Sequence, residues 1–303
     1  MAAGGGTKAV VTALCANLTI AVAKLVAWVF SGSSSMLAEG IHSIADSSNQ
    51  ALLLIGGKRA QRAATPLHQF GYGRERYFYS FVVAIVLFSL GGLFALYEGW
   101  HKISDPHAIE HWYWPVGVLL FAIVAEAFAL RTAVKESNEI RGDQSWWQFV
   151  RHSKAPELPV ILLEDLGAIL GLILALIGVG IALLTGNGIW DGIGTLCIGV
   201  LLVVIAVILA IETKSLLLGE GVSEQDTATI HDALVDGDTL TGVLGLQTMY
   251  VGPDDLLIAA RVRVDHHDSV TEVAEAIDLA EARVRAALPV HCVIYLEPDI
   301  KRA

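Results

Sequence analysis

Six long apolar runs constrain this chain more than any other feature. A helix needs about 20 mostly apolar residues to cross a hydrocarbon core about 30 Å thick. Residues 9–30, 35–56, 78–100, 113–134, 158–185 and 189–211 each reach that length. The reading is therefore an α-helical membrane protein with six transmembrane helices. Composition agrees: 54% of residues are apolar and only 17% charged, against roughly 25% charged in soluble domains. The charge is also uneven. From Glu212 onward there are 7 Lys/Arg against 17 Asp/Glu, a balance of −10, while the first 211 residues carry 13 against 14. That split predicts a six-span transmembrane domain over 1–211 and a soluble acidic domain over 212–303. An acidic surface repels nucleic acid, so no nucleic-acid partner is expected; it attracts cations or simply keeps the domain soluble.

The loops between the runs alternate in charge. SGSSS (31–35), HKISDPHAIEH (101–111) and TGNG (185–188) hold a single Lys and no Arg. The other two hold Lys58, Arg59, Arg62, Arg74 and Arg76, then Arg131, Lys135, Arg141, Arg151 and Lys154. The excess of basic residues on cytoplasmic loops places these two loops, both termini and the acidic domain in the cytoplasm. The run after MAAGGGTK is long enough to span, so no cleavable leader is expected. Cys15, Cys197 and Cys292 have no metal-knuckle or disulfide spacing and read as buried thiols. Ala- and Gly-rich composition favours a bacterial inner membrane.

Past residue 212 the periodicity changes. Residues 223–236 read as a helix with Ser223 as N-cap. LGLQTMYV (244–251) and LLIAARVRV (256–264) read as strands joined at GPDD. Residues 270–287 form an amphipathic helix and HCVIYLEP (291–298) a last strand, giving a small α+β layer.

Two spans carry the chemistry. In AEGIHSIADSSNQ (38–50), His42 and Asp46 are four apart and share a helix face, with Glu39 near it. A carboxylate and an imidazole within a span are costly and normally face an interior cavity or pathway. They also make half of a tetrahedral zinc shell; a buried pair that only fixes helix packing is the plainer alternative. In the fifth span Glu164 and Asp165 are adjacent, so they point about 100° apart. One is expected to bind an ion while the other pairs elsewhere. Ligands that hold either a metal or protons are what metal–proton exchange requires. Gly167 and Gly171 would admit a close helix neighbour. Asn17, Lys24, Glu98 and Glu126 are weaker candidates. Lys24 either neutralises a carboxylate or snorkels to the interface.

The residues quoted so far resemble the cation diffusion facilitators, the zinc transporter family. The resemblance runs through KLVAWVFSGSSSMLAEGIHSIADSSNQ (24–50), HQFGYGRERYFY (68–79) and IYLEP (294–298). Leu162, Leu163, Glu164 and Asp165 look like the branch that includes the mitochondrial zinc transporter of animals. The resemblance implies a homodimer with six spans per subunit, joined through a cytoplasmic ferredoxin-like domain. It also implies alternating access in exchange for protons. The family's transport site takes two ligands from the second span and two from the fifth. His42, Asp46 and Asp165 match three of them, while the fourth position is Ile161. Glu164 is expected to fill the gap, with Glu39 or water as alternatives. His68 matches a family ligand, but Tyr72 replaces its companion. Leu244, Arg261 and Tyr295 stand where several relatives hold metal-binding His, so the domain is expected mainly to dimerise. His266, His267 and His291 read as surface residues.

Function follows as export of a divalent cation. One imidazole among carboxylates suits zinc, and also manganese, cobalt or iron(II). The expected partners are the metal ion, protons and the lipid membrane, with Zn2+ as cargo and no organic cofactor. An intramembrane metalloenzyme would need an HExxH-type pair that is not here, so no enzymatic activity is expected. A metal sensor that transports nothing remains the second class.

Overall fold

The computed structural model describes residues 3–31, 34–106, 113–235 and 239–300. Within these, the side chains of 3–9, 13, 16, 27, 28, 30, 31, 34–42 and 114 lie outside the description. Each apolar run becomes one long helix: α1 (Ala3–Ser31), α2 (Ser34–Ala60), a third from Glu75 to Ser104, α5 (Tyr113–Arg141), α7 (Glu157–Thr185) and α8 (Ile189–Leu218). The third consists of α3 (Glu75–Val86), a π-helical segment Leu87–Leu93, and α4 (Phe94–Ser104). Four of these stretches, Glu75–Ser104, Pro115–Arg141, Glu157–Thr185 and Ile189–Leu218, are long and apolar enough to cross a membrane among the described residues. Part of α1, Val10–Val26, is a shorter apolar helix. In α2, hydropathy is lowered by the polar series Ser43, Asp46, Ser47, Asn49 and Gln50.

Two compact units emerge. One joins the described residues up to Arg59 with Arg76–Lys214; the other joins Ala60–Glu75 with the described residues from Ser215. In the helical unit Val83, Val160, Ile161, Ala206 and Leu209 form part of the apolar core. Glycine lets the helices meet backbone to backbone. A Cβ on Gly178 of α7 would lie 3.0 Å from the Trp190 carbonyl and 3.4 Å from Gly194 Cα of α8. On the other side of α8, a Cβ on Gly199 would lie 2.8 Å from Leu96 N, and one on Gly99 of α4 2.7 Å from Leu196 N. Gly167 behaves as its sequence suggests, since a Cβ there would strike Ile205 Cδ1 at 2.6 Å. Helix α7 stops at Gly186, whose φ of 68° few other residues tolerate.

The segment between α5 and α7 reads as a loop from sequence but holds a short helix, α6 (Trp146–His152). A capping box starts it: Ser145 Oγ accepts from Gln148 N at 3.2 Å, and Gln148 Oε1 accepts from Ser145 N at 3.0 Å. Phe149 then anchors it in the apolar core. The cysteines also differ from expectation. Cys292 is buried, but Cys15 and Cys197 are exposed, because a helix bathed in lipid turns apolar side chains outward as well as inward.

The second unit follows its sequence closely: α9 (Glu224–Val235), β1 (Gly242–Gly252), β2 (Asp255–Val264), α10 (Val270–Ala287) and β3 (His291–Ile300). Residue 236, expected to close the first helix, lies outside the described residues. The sheet order is β1-β2-β3, antiparallel between β1 and β2 and parallel between β2 and β3. Parallel strands need a crossover, and α10 supplies it. Strand β2 buries alternate residues, Leu256, Ile258, Ala260, Val262 and Val264, against Ile230 and Leu234 of α9 and Ala280 and Val284 of α10. That period of two fixes its register, with Ile258 opposite Thr248 and Ile294.

Candidate ion site

At 100° per residue, positions 42, 46, 49 and 53 of α2 fall on one stripe and position 50 flanks it. His42 lies on α2 one turn before Asp46, but its side chain, like that of Glu39, lies outside the described residues. Asp46 is half-buried, and Ser43, Ser47, Asn49 and Gln50 are buried. Asn49 and Gln50 both turn to α7. Asn49 Nδ2 donates to Glu164 Oε1 at 3.0 Å, and Gln50 Nε2 donates to Glu164 Oε2 at 3.1 Å. Gln50 Oε1 in turn accepts from Asn17 Nδ2 of α1 at 3.2 Å. Lys24 of α1 is 4% exposed and donates from Nζ to Ser43 Oγ at 3.0 Å. Three helices are thus laced through side-chain polar groups.

Glu164 and Asp165 separate as their 100° offset requires. Glu164 faces the two amides of α2, and among the described residues its hydrogen-bond partners are these neutral donors rather than a basic residue. Asp165 is 1% exposed, and its Oδ2 has no hydrogen-bond partner among the described residues. Asp46 lies within electrostatic reach of Glu126, Glu164 and Asp165, and Lys24 within reach of Glu126. Glu126 of α5 is itself buried. A charged side chain at the centre of a span costs about 2.5–3.5 kcal/mol on insertion scales. Grouping four carboxylates there is sustained by the amide donors and by Lys24. Ile161, one turn before Asp165, is fully buried in the apolar core.

Sequence reasoning singled out His42, Asp46, Glu164 and Asp165; the last three lie within electrostatic reach of one another, and the His42 side chain lies outside the described residues. It ranked Asn17, Lys24 and Glu126 lower, yet all three belong to the cluster or border it. Asn49 and Gln50 were passed over inside the quoted motif. Their signal was spacing: Asn49 continues the stripe of His42 and Asp46.

The second unit holds other candidate ligands. His68 stacks on Tyr72 at 4.5 Å between ring centroids. Both line a cavity of about 350 Å³ with Leu67, Phe70, Arg74 and Met249. Asp265, His266 and His267 occupy one exposed turn, and their ligand atoms lie within 4.8 Å of one another. The His267 backbone N–H holds the Asp265 carboxyl below its ordinary range. His291 Nδ1 lies 2.9 Å from Asp255 Oδ1. Leu244, Arg261 and Tyr295 are exposed, and Arg261 Nε meets Glu297 Oε2 at 3.4 Å.

Long apolar helices enclosing a buried acidic cluster define a multi-pass membrane protein that handles cations. Residues 10–218 match the cation efflux transmembrane domain, and the chain belongs to that family of transporters. Among relatives, it is 31% identical over 264 residues to the proton-coupled zinc antiporter SLC30A9, mitochondrial, of Xenopus laevis, covering 86% of this chain and 47% of the relative. The Homo sapiens counterpart is 30% identical over 263 residues, covering 86% and 46%. The cation-efflux pump FieF of Pectobacterium atrosepticum is 25% identical over 301 residues, covering 96% and 92%. The chain spans about half the length of the two animal relatives.

Proposed function

We propose that this protein exports a divalent cation, zinc foremost, in exchange for protons by alternating access. The observation that carries the reading is Asp165: a carboxylate 1% exposed, with an unpartnered Oδ2, within electrostatic reach of Asp46 on a second helix. Uncompensated acceptors of that kind inside a span suit a cation or a proton in turn. His42, Asp46 and Asp165 are the ion ligands. Glu164 contributes through the lone pairs that Asn49 and Gln50 leave, since an ionised carboxylate offers about four acceptor sites. Two relatives are named as proton-coupled zinc antiporters, which supports the same cargo and counter-ion here.

The assembly reads the same way. All six long helices span, giving a transmembrane domain over 1–211. The αββαβ unit over 212–303 is a ferredoxin-like domain in the cytoplasm of a bacterial cell, on the side of the basic loops. Exposed Leu244 and Tyr295 on its sheet support pairing of two copies there.

Metal flux into proteoliposomes tests the reading, with wild type beside Asp46→Ala and Asp165→Ala across zinc, manganese, cobalt and iron(II). Zinc should enter under an opposing proton gradient, and either substitution should reduce entry by at least the roughly 10- to 100-fold that loss of even an outer-shell partner costs. A folded wild-type protein that moves none of these metals would leave a sensor as the better account.

A further inference from the structure

The amide of Asn49 is oriented by its neighbour. With Nδ2 facing Glu164 Oε1 at 3.0 Å, turning the amide over would set two acceptor oxygens against each other. Its Oδ1 therefore occupies the opposite edge of the side chain, where it is buried with no hydrogen-bond partner among the described residues. Native structures rarely leave a buried carbonyl oxygen so. Gln50, the next residue, differs: it donates to Glu164 and accepts from Asn17, so both ends are satisfied. Position supplies the second argument. His42, Asp46 and Asn49 stand at i, i+4 and i+7, so Asn49 extends the stripe that the proposed ligands begin.

We propose that Asn49 is a further ion-contacting residue, and that its Oδ1 adds an amide oxygen to the donor set. This rests on the two-helix ion site proposed above. On the α2 side it offsets the absence of a donor at Ile161 on α7. The addition also bears on which metals the site accepts. Zinc favours four donors with nitrogen among them, whereas manganese(II) favours more, harder oxygens. Asn49 therefore determines how well manganese(II) is held relative to zinc, while Glu164 fixes the amide in place.

Calorimetric titration of purified full-length protein with Zn2+ and with Mn2+ tests this in wild type, Asn49→Ala, Asn49→Asp, Gln50→Ala and Asp46→Ala. Asn49→Ala should weaken Mn2+ by about tenfold or more and Zn2+ by no more than about threefold, following donor hardness. Gln50→Ala removes the other hydrogen bond to Glu164 and should change both metals by the same factor. Asn49→Asp keeps an oxygen in nearly the same shape but loses the donor, and should hold Mn2+ at least as well as wild type. If Asn49→Ala and Gln50→Ala share one Zn:Mn ratio, or Asn49→Asp is as weak as Asn49→Ala, then Asn49 serves only to hold Glu164 and the proposal falls. If Asp46→Ala binds both metals like wild type, the underlying two-helix site is wrong.

Discussion

In the C-terminal unit the deepest side chains include Ile230, Leu234, Leu256, Ile258 and Val262. In the helical unit Asn17, Lys24, Gln50, Glu164 and Asp165 are buried to a similar degree, and every buried polar or charged residue among those described belongs to that unit. Its outward faces carry large apolar side chains instead, such as Val22, Tyr97, Phe128 and Val200. The contrast teaches how the surrounding solvent sorts residues. Where water surrounds a unit, expelling it from apolar groups drives folding. Where lipid surrounds it, apolar groups gain little by turning inward, and polar groups gain most by meeting one another.

Core truncation in the C-terminal unit should have the largest effect on stability. Ile258→Ala on the central strand should cost about 2–5 kcal/mol, read as lost hydrogen-exchange protection across β1, β2 and β3. Protection unchanged in that variant would mean the sheet is not held by its apolar face. In the helical unit the same logic should fail. Gln50→Leu makes the interior more apolar, yet it strips a partner from both Asn17 and Glu164, and should destabilise by about 1–3 kcal/mol. Thermal melts in detergent give the answer, and a more stable variant would show that this interior behaves like an ordinary apolar core. Smallest is the cap of α10. Ser269→Ala removes a capping box and should cost about 1 kcal/mol.

That last change also has a pH signature. Hydrogen bonds from the Ser269 hydroxyl and then its backbone N–H hold the Glu272 carboxyl below its ordinary value. A depressed carboxyl stabilises the fold above the unfolded pKa, and that contribution is lost as pH falls through the folded value. In Ser269→Ala the acid-side loss should shrink. Equal loss in both proteins would mean that the cap is not electrostatic.

The two units were also unequally legible. Strand β2 could be read because burial on one face imposes a period of two, and helix α10 because residues 270–287 are amphipathic at the helical period; its Ser269–Glu272 capping box was not read. The six long helices could be read from length alone. Helix α6 was missed because seven residues carry little periodicity, and its start depends on a reciprocal Ser145–Gln148 contact. Asp46, Glu164 and Asp165 stood out because ionisable groups are conspicuous among Leu and Ile. Asn49 and Gln50 did not, since uncharged amides raise no such alarm and their meaning depends on facing Glu164 from a helix over a hundred residues away. Nor did sequence show that Cys15 and Cys197 are exposed, because which side of a helix meets lipid depends on its neighbours.

The glycine contacts of α8 have a mechanical consequence. Where backbones touch at Gly178–Gly194 and at Gly99–Leu196, no rotamer can swing aside to let one helix ride past another, so α4, α7 and α8 are geared together. Between α2 and α7 the described polar contacts are the amides of Asn49 and Gln50 on Glu164, which can exchange partners by turning a torsion angle. One seam of the bundle is toothed by backbone contacts, and the other includes side chains that can turn.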